Sequence, residues 1–237
     1  MLKAAGVECI LQSYFTLGER AIPANKEFDY YMLDSGGYSA RVRGIEISVK
    51  KYAEFLNKHK IKYAFNLDTA SVPETLKNQK YLEDNTETYI IPIYHTSDWL
   101  DPQYRDLIEK YTKSYPFIGL GGMAGVGLDR QTHLKFLDYC FSYTKDKVKV
   151  HGLGMTSNSL LKRYPFFSVD STSWQRSARF ATSRVYSNDM AKVRARKRHF
   201  LENMEEESKY WISIQEEITE LWKRRGITWN NVRRENA

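Results

Sequence analysis

Cysteine is scarce in this chain. Two residues, Cys9 and Cys140, occur in 237, and neither has a second Cys or a His at ligand spacing, which excludes a zinc-ribbon or disulfide framework. Both fall in runs that read as buried strand and buried helix, so they are expected to be reduced core thiols. No metal site and no cofactor are expected. Long apolar runs are missing as well: none approaches the ~20 residues of a membrane span, so a membrane partner is not expected. The opening MLKAAGVECILQSYF lacks an apolar stretch closed by a small-residue cleavage site, which a secretory signal needs, and the expected location is the cytoplasm. Nothing repeats at solenoid periods, and no low-complexity linker divides the chain.

What is present is the composition of a globular protein, 42% hydrophobic and 27% charged, in a length that suits one large core. Lys and Arg number 36 against 29 Asp and Glu, a formal charge of +7. The excess is local. Arg176, Arg179, Arg184, Lys192, Arg194, Arg196, Lys197 and Arg198 are opposed within their segment only by Asp189. Such a stripe is the footprint of a polyanionic partner; the alternative is a solvated helix face paired with Glu202, Glu205, Glu206 and Glu207.

Apolar, β-branched runs at residues 8–15, 29–34, 62–68, 89–95, 117–121, 147–152 and 166–170 read as seven strands. Helical periodicity at 47–59, 102–114, 129–143 and 157–163 lies between them, with Ser and Asp available as N-caps. This alternation predicts an α/β protein with a parallel sheet. An eighth strand is not apparent. From 188 to 225 the pattern is helical, with Met190, Val193, Phe200, Met204, Trp211, Ile214, Ile218 and Leu221 near one face and Gly226 as a stop. It reads as one long helix, or two with a break near Glu207.

The predicted strands end in polar residues or glycine: Asp34-Ser35-Gly36-Gly37, Asn66-Leu67-Asp68, His95, Gly121-Gly122, His151-Gly152 and Asp170-Ser171. Parallel α/β sheets build their sites at these carboxyl ends. One Asp there is commonly a helix cap. Three, on three strands and beside two double-glycine turns, point to an active site, because a carboxylate at the end of an apolar strand is costly unless hydrogen-bonded or functional.

At these residues the sequence resembles the tRNA-guanine transglycosylase superfamily, and more closely its short phage-type members associated with 7-deazaguanine in DNA. The resemblance is carried, in order, by Asp34-Ser35-Gly36-Gly37-Tyr38, the strand end at Asp68, Gly121-Gly122-Met123-Ala124, Gly152-Leu153-Gly154, and Asp170 followed by Arg176 and Arg179. It implies a (β/α)8 TIM-type barrel over 1–186, with a basic helical extension over 187–237 packed on it. It also implies base exchange in which Asp170 attacks C1′, displaces guanine and forms a covalent glycosyl-enzyme, with Asp34 as general acid/base.

The base-binding residues expected are Tyr38, Asp68, His95, Gly121, Gly122, Met123 and His151. Asp68 suits the N1–H and N2–H donors of guanine, the Gly122 N–H suits O6, and Tyr38 suits stacking on the base plane. Arg176, Arg179, Arg184, Arg194, Arg196, Lys197 and Arg198 are expected on the nucleic-acid backbone. The partners implied are DNA, or tRNA, with a flipped or single-stranded guanine, and a free 7-deazaguanine base; a phage-encoded chain would work in the host cytoplasm. The oligomeric state stays open.

Departures from the family sharpen these expectations. The cysteine-rich zinc site that follows the barrel in the tRNA enzymes is missing. Ser39 and His95 stand where Gln is usual, leaving 7-cyano, 7-aminomethyl and 7-formamidino forms of the incoming base open. DNA is the leading substrate and tRNA the runner-up. Glycosidic hydrolysis with the same carboxylates and a non-catalytic binding subunit are the other readings.

Overall fold

A computed structural model describes residues 2–19, 21–123, 129–172 and 200–229. The basic cluster from Arg176 to Arg198, the 186/187 boundary, Ala124 and the first part of the long helical segment lie outside the described residues.

Among the described residues eight parallel strands form two four-stranded sheets. In the first, β1 (Cys9–Ser13), β2 (Tyr30–Asp34), β3 (Tyr63–Phe65) and β4 (Tyr89–Ile91) lie side by side in chain order. In the second, β5 (Ile93–His95), β6 (Phe117–Gly121), β7 (Lys149–Gly152) and β8 (Ser168–Val169) do the same. The α/β class is therefore as expected, but a closed eight-stranded barrel is not found. Among the described residues no ladder joins β4 to β5 or β8 to β1.

At the first gap no pairing is possible, because β4 and β5 are consecutive segments separated by a single residue, Pro92. Its nitrogen carries no hydrogen, so the ladder is interrupted there, while its carbonyl accepts from the Gly119 N–H at 2.8 Å. The run 89–95, expected as one strand, is thus two: the half before Pro92 pairs with β3 and the half after it with β6. That split supplies the eighth strand.

Helices cross between successive strands other than β4 and β5: α2 (Gly37–Val42) and α3 (Val49–His59) before β3, α4 (Val72–Asn85) before β4, α5 (Thr96–Leu100) and α6 (Leu107–Ser114) before β6, and α7 (Arg130–Thr144) before β7. A short α1 (Tyr14–Leu17) follows β1, and a single-turn α8 (Asn158–Leu161) precedes β8. The side chains of Ser48, Ser71 and Asp129 accept from the backbone N–H of Lys51, Glu74 and Thr132, capping α3, α4 and α7. α4 was not among the expected helices, although Ser71-Val72-Pro73-Glu74 carries both the cap spacing and a proline where the first turn tolerates one. The helix expected from 102 begins at Leu107, because residues 101–106 form turns.

Side-chain alternation sets which face meets what. On the first sheet Leu33, Ala64 and Ile90 pack with Tyr52, Phe55, Leu56 and Leu82 from the helices. On the second, Ile118, Leu120 and Val150 pack with Phe136 and Leu137 of α7. The intervening positions of both sheets meet in a third cluster of Phe65, Ile91, Ile93 and Phe117, joined by Met32 and Leu153. Asp34, His95, Gly121 and His151 share the parity of that cluster, two or four residues along the chain from Met32, Ile93, Phe117 and Leu153, and Asp170 shares that of Ser168, which pairs with His151. A one-residue slip would turn each toward the helices instead.

The long helix, α9 (Phe200–Arg224), runs through Glu207 without a break and is closed by Gly226 at φ +83°. Ile214, Ile218 and Trp222 are buried in the second sheet's outer cluster, each contributing roughly 1.5–3 kcal/mol by burial. Trp222 takes the core position expected of Leu221, and its indole N–H donates to the Leu161 carbonyl at 2.9 Å. Cys140 is buried as expected, whereas Cys9 is exposed; both are free thiols. No described helix is long and apolar enough to cross a membrane.

Candidate active site

The inward parity of the strand ends brings three aspartates within electrostatic reach of one another. Asp34 closes β2, and its Oδ2 accepts from the Gly36 N–H at 3.1 Å. Gly36 holds φ +79°, and a Cβ there would sit 2.4 Å from that of Phe15, so only glycine makes this turn. Burial drives the Asp34 carboxyl up to about 7, the negative charges of Asp68 and Asp170 add to the rise, and the N–H groups of Gly36 and Ser35 partly offset it. Tyr52, fully buried beneath, donates to the Phe65 carbonyl at 3.0 Å and lies 3.4 Å from that of Leu33. It ties the ends of β2 and β3, whose ladder is a single bridge, Leu33 with Ala64.

Asp68 is 7% exposed. Its backbone oxygen and Oδ1 lie 2.6 and 2.9 Å from where a Cβ on Gly37 would be, so the double glycine lets the helix start close against the carboxylate. Its Oδ2 is 3.3 Å from His95 Nε2 and 4.0 Å from Arg41 Nη1. The Arg41 guanidinium lies 5.9 Å from the centroid of the Tyr38 ring, which is 57% exposed.

His95 lies against Gly121, where an added Cβ would fall 2.6 Å from its Cδ2. Its backbone N–H donates to Asp98 Oδ2 at 2.9 Å, and its Nδ1 lies 3.8 Å from the same oxygen. Burial opposes a charge on His95, but the hydrogen bond and charge of Asp68, with the charge of Asp98, outweigh it and raise the imidazole above its ordinary range. Asp98 is itself raised, by burial first, against the His95 N–H and charge. Gly122, at φ +77°, makes a turn in which a Cβ would strike Thr96 Oγ1, whose hydroxyl donates to the Gly122 carbonyl at 3.2 Å. Met123 packs, partly buried, against the cluster outside the second sheet.

Asp170 follows β8. Its Oδ1 accepts from the Gly154 N–H at 2.8 Å and lies 3.2 Å from His151 Nε2. His151 is fully buried, with Nδ1 2.8 Å from Ser168 Oγ and its ring centroid 4.9 Å from that of Phe65. It therefore meets Asp170 from behind rather than an open pocket. Asp34, Asp68, His95, Gly121 and Asp170 belong to one group, and Tyr38 stands at its exposed rim.

Sequence reasoning gave no role to Arg41, Asp98, Ser168 or Gly154, although Gly154 stood in one of the motifs that carry the resemblance. Asp98 carried a signal, an acidic residue three positions after a strand-end histidine that opens a helix; Arg41 carried none, because its role depends on α2 lying beside Asp68. Among the described residues no group of three or more His, Cys, Asp and Glu side chains is arranged to hold a metal ion. The arrangement offers a carboxyl that exchanges its proton near neutrality, a carboxylate held by two donors, and a mutually paired carboxylate and imidazole, Asp68 and His95.

No protein-family model matches the chain. It is similar to a viral protein, "Uncharacterized protein 306" of Sulfolobus islandicus rod-shaped virus 1, at 28% identity over 188 residues, 74% of this chain and 59% of the viral one. The chain thus spans less than two thirds of that relative's length.

Proposed function

We propose that the protein is a base-exchanging glycosyltransferase that replaces guanine in DNA with a 7-deazaguanine, using Asp170 as nucleophile and Asp34 as general acid/base. The observation that carries this reading is the contrast between two neighbouring carboxyls: Asp34, pushed up to about 7, and Asp170, whose Oδ1 is held by the Gly154 N–H and by His151. Two carboxyls whose surroundings divide them in this way suit an acid/base and a nucleophile. Asp68, its Oδ2 taken by His95, keeps Oδ1 as an acceptor suited to the N–H donors on the edge of a guanine. Tyr38, exposed and beside Arg41, suits stacking on a base or an adjoining nucleotide.

In this mechanism Asp170 attacks C1′ while protonated Asp34 supports departure of guanine. The incoming base then gives its proton to Asp34 and displaces Asp170, so two inversions yield net retention. Because a duplex hides C1′ and the base edge, the target guanine is single-stranded or flipped. The parallel order of the strands, with inner faces meeting at Phe65, Ile91, Ile93 and Phe117, supports reading the two sheets as built around one inner core, with a single run, split at Pro92, shared between them. The viral relative is in keeping with a phage or virus setting and carries no functional information of its own.

Incubation with labelled guanine and either single-stranded DNA or tRNA tests the reading. Incorporation into DNA is expected. Incorporation into tRNA alone would move the substrate, and release of free guanine without incorporation would convert the reading to an N-glycosidase.

A further inference from the structure

We propose that His151 and Gly154 together hold one oxygen of Asp170 so that the other is presented for attack, which makes His151 a positioning residue for the covalent step. The proposal rests on Asp170 being the nucleophile. Its geometry comes from the ladder between β7 and β8, in which His151 pairs with Ser168 and Gly152 with Val169. In parallel strands that register sets His151, Ser168 and Asp170 on one face.

Both contacts fall on Oδ1, from the Gly154 N–H at 2.8 Å and from His151 Nε2 at 3.2 Å, and among the described residues no donor lies on Oδ2. Rotation about the Cβ–Cγ bond of an aspartate is broad and nearly two-fold, so an unheld carboxylate interchanges its oxygens. Two donors on one oxygen stop that exchange and fix the direction of the free one, an orientation effect.

His151 can do this because its own ring is fixed. It is fully buried, it meets the Phe65 ring at 4.9 Å, and Ser168 Oγ lies 2.8 Å from Nδ1. A carboxylate only accepts, so Nε2 carries the hydrogen between His151 and Asp170. An imidazole in a core position is costly unless both nitrogens are engaged. Here one of them is engaged by the reacting carboxylate itself.

In the forward step a lone pair of Oδ2 forms the bond to C1′, and the C1′–N9 pair leaves with guanine, which takes the proton held by Asp34. In the return step the incoming base loses its N9 proton to Asp34 and forms C1′–N9, and the C1′–O pair returns to Asp170. Throughout, Oδ1 keeps its two donors, first as carboxylate and then as ester carbonyl.

The test measures single-turnover release of labelled guanine from a single-stranded DNA oligonucleotide with excess full-length enzyme, together with the Kd for that oligonucleotide. His151→Phe keeps the ring volume and loses the donor; His151→Gln keeps a donor and loses the ring. The loss of a hydrogen bond to a charged group predicts that His151→Phe slows release about 10- to 100-fold with Kd changed less than about twofold, and that His151→Gln is the faster of the two.

Release at the wild-type rate by His151→Phe, or a rate for His151→Gln equal to or below it, overturns the proposal in favour of packing. Should both variants fold poorly, Ser168→Ala, which frees only Nδ1, is expected to slow release about two- to tenfold, and a wild-type rate overturns the proposal. Asp170→Ala separates the two claims. Release that survives it refutes the nucleophile, whereas its silence beside a fully active His151→Phe refutes only the positioning role.

Discussion

The two sheets end in carboxylates handled in opposite ways. At the end of the first sheet Asp34 is desolvated, faces two other negative charges, and is held near neutrality by that crowding rather than by a partner. At the end of the second, Asp170 is met by an imidazole and a backbone N–H on one oxygen. Asp68 lies between these cases, its charge answered by His95 of the second sheet and more distantly by Arg41. The same side chain is thus a carboxyl raised towards neutrality at Asp34, an oriented carboxylate at Asp170 and an ion-paired one at Asp68, according to its neighbours; the proposed mechanism uses the three differently.

Removing Asp170 breaks that contrast most severely. Asp170→Ala is expected to lower base exchange by about four orders of magnitude or more, as loss of a covalent nucleophile does, with folding intact by circular dichroism. Asp34→Asn comes next. It is expected to cost about 10²- to 10⁴-fold in exchange, and to remove the pH dependence expected of wild type, in which guanine release falls as pH rises through about 7 and deprotonates the acid.

The same substitution has a stability signature. Because the folded state raises Asp34 from 3.8 to about 7, it binds more protons than the unfolded chain across that interval. Wild-type stability should therefore fall with rising pH between about 4 and 7, by roughly 2 kcal/mol from Asp34 after allowance for partial exposure, while Asp34→Asn falls less steeply in urea titrations, keeping only the contributions of Asp98 and His95.

Gly37→Ala sharpens the comparison at Asp68. A Cβ 2.6 Å from a backbone oxygen has no flexible neighbour to displace, and the expected loss is about 1–3 kcal/mol of stability, measured by chemical denaturation. Gly121→Ala meets the His95 ring instead, so its larger effect should be on the Kd for guanine. The smallest change is at a site remote from the carboxylates: Ser71→Ala removes the α4 cap, costs about 1 kcal/mol and leaves exchange per folded molecule unchanged.

Much of this was legible in the sequence. Asp34 and His95 at their strand ends, and Asp68 and Asp170 just beyond β3 and β8, announce themselves because an apolar run that stops at a polar residue marks the carboxyl end of a strand. α4 was legible too, from Ser71 and Glu74, and was overlooked because its apolar face is narrow, with Leu82 as its sole fully buried aliphatic side chain. The interruption at Pro92 is a local effect, but its consequence, one run shared by two sheets, depends on which strands flank it. The pairing of Asp68 with His95, and the seating of Asp170 on His151, needed the register and the packing of the inner faces. No spacing rule predicts contacts between residues 27 positions apart on different sheets.

The most direct measurement is the intact mass of the denatured protein after mixing with a guanine-containing single-stranded oligonucleotide in the absence of free base. The mechanism predicts a species heavier by the oligonucleotide less guanine, mapped by proteolysis to Asp170 and lost in Asp170→Ala. Base exchange without such an adduct, or an adduct that persists in Asp170→Ala, would contradict it.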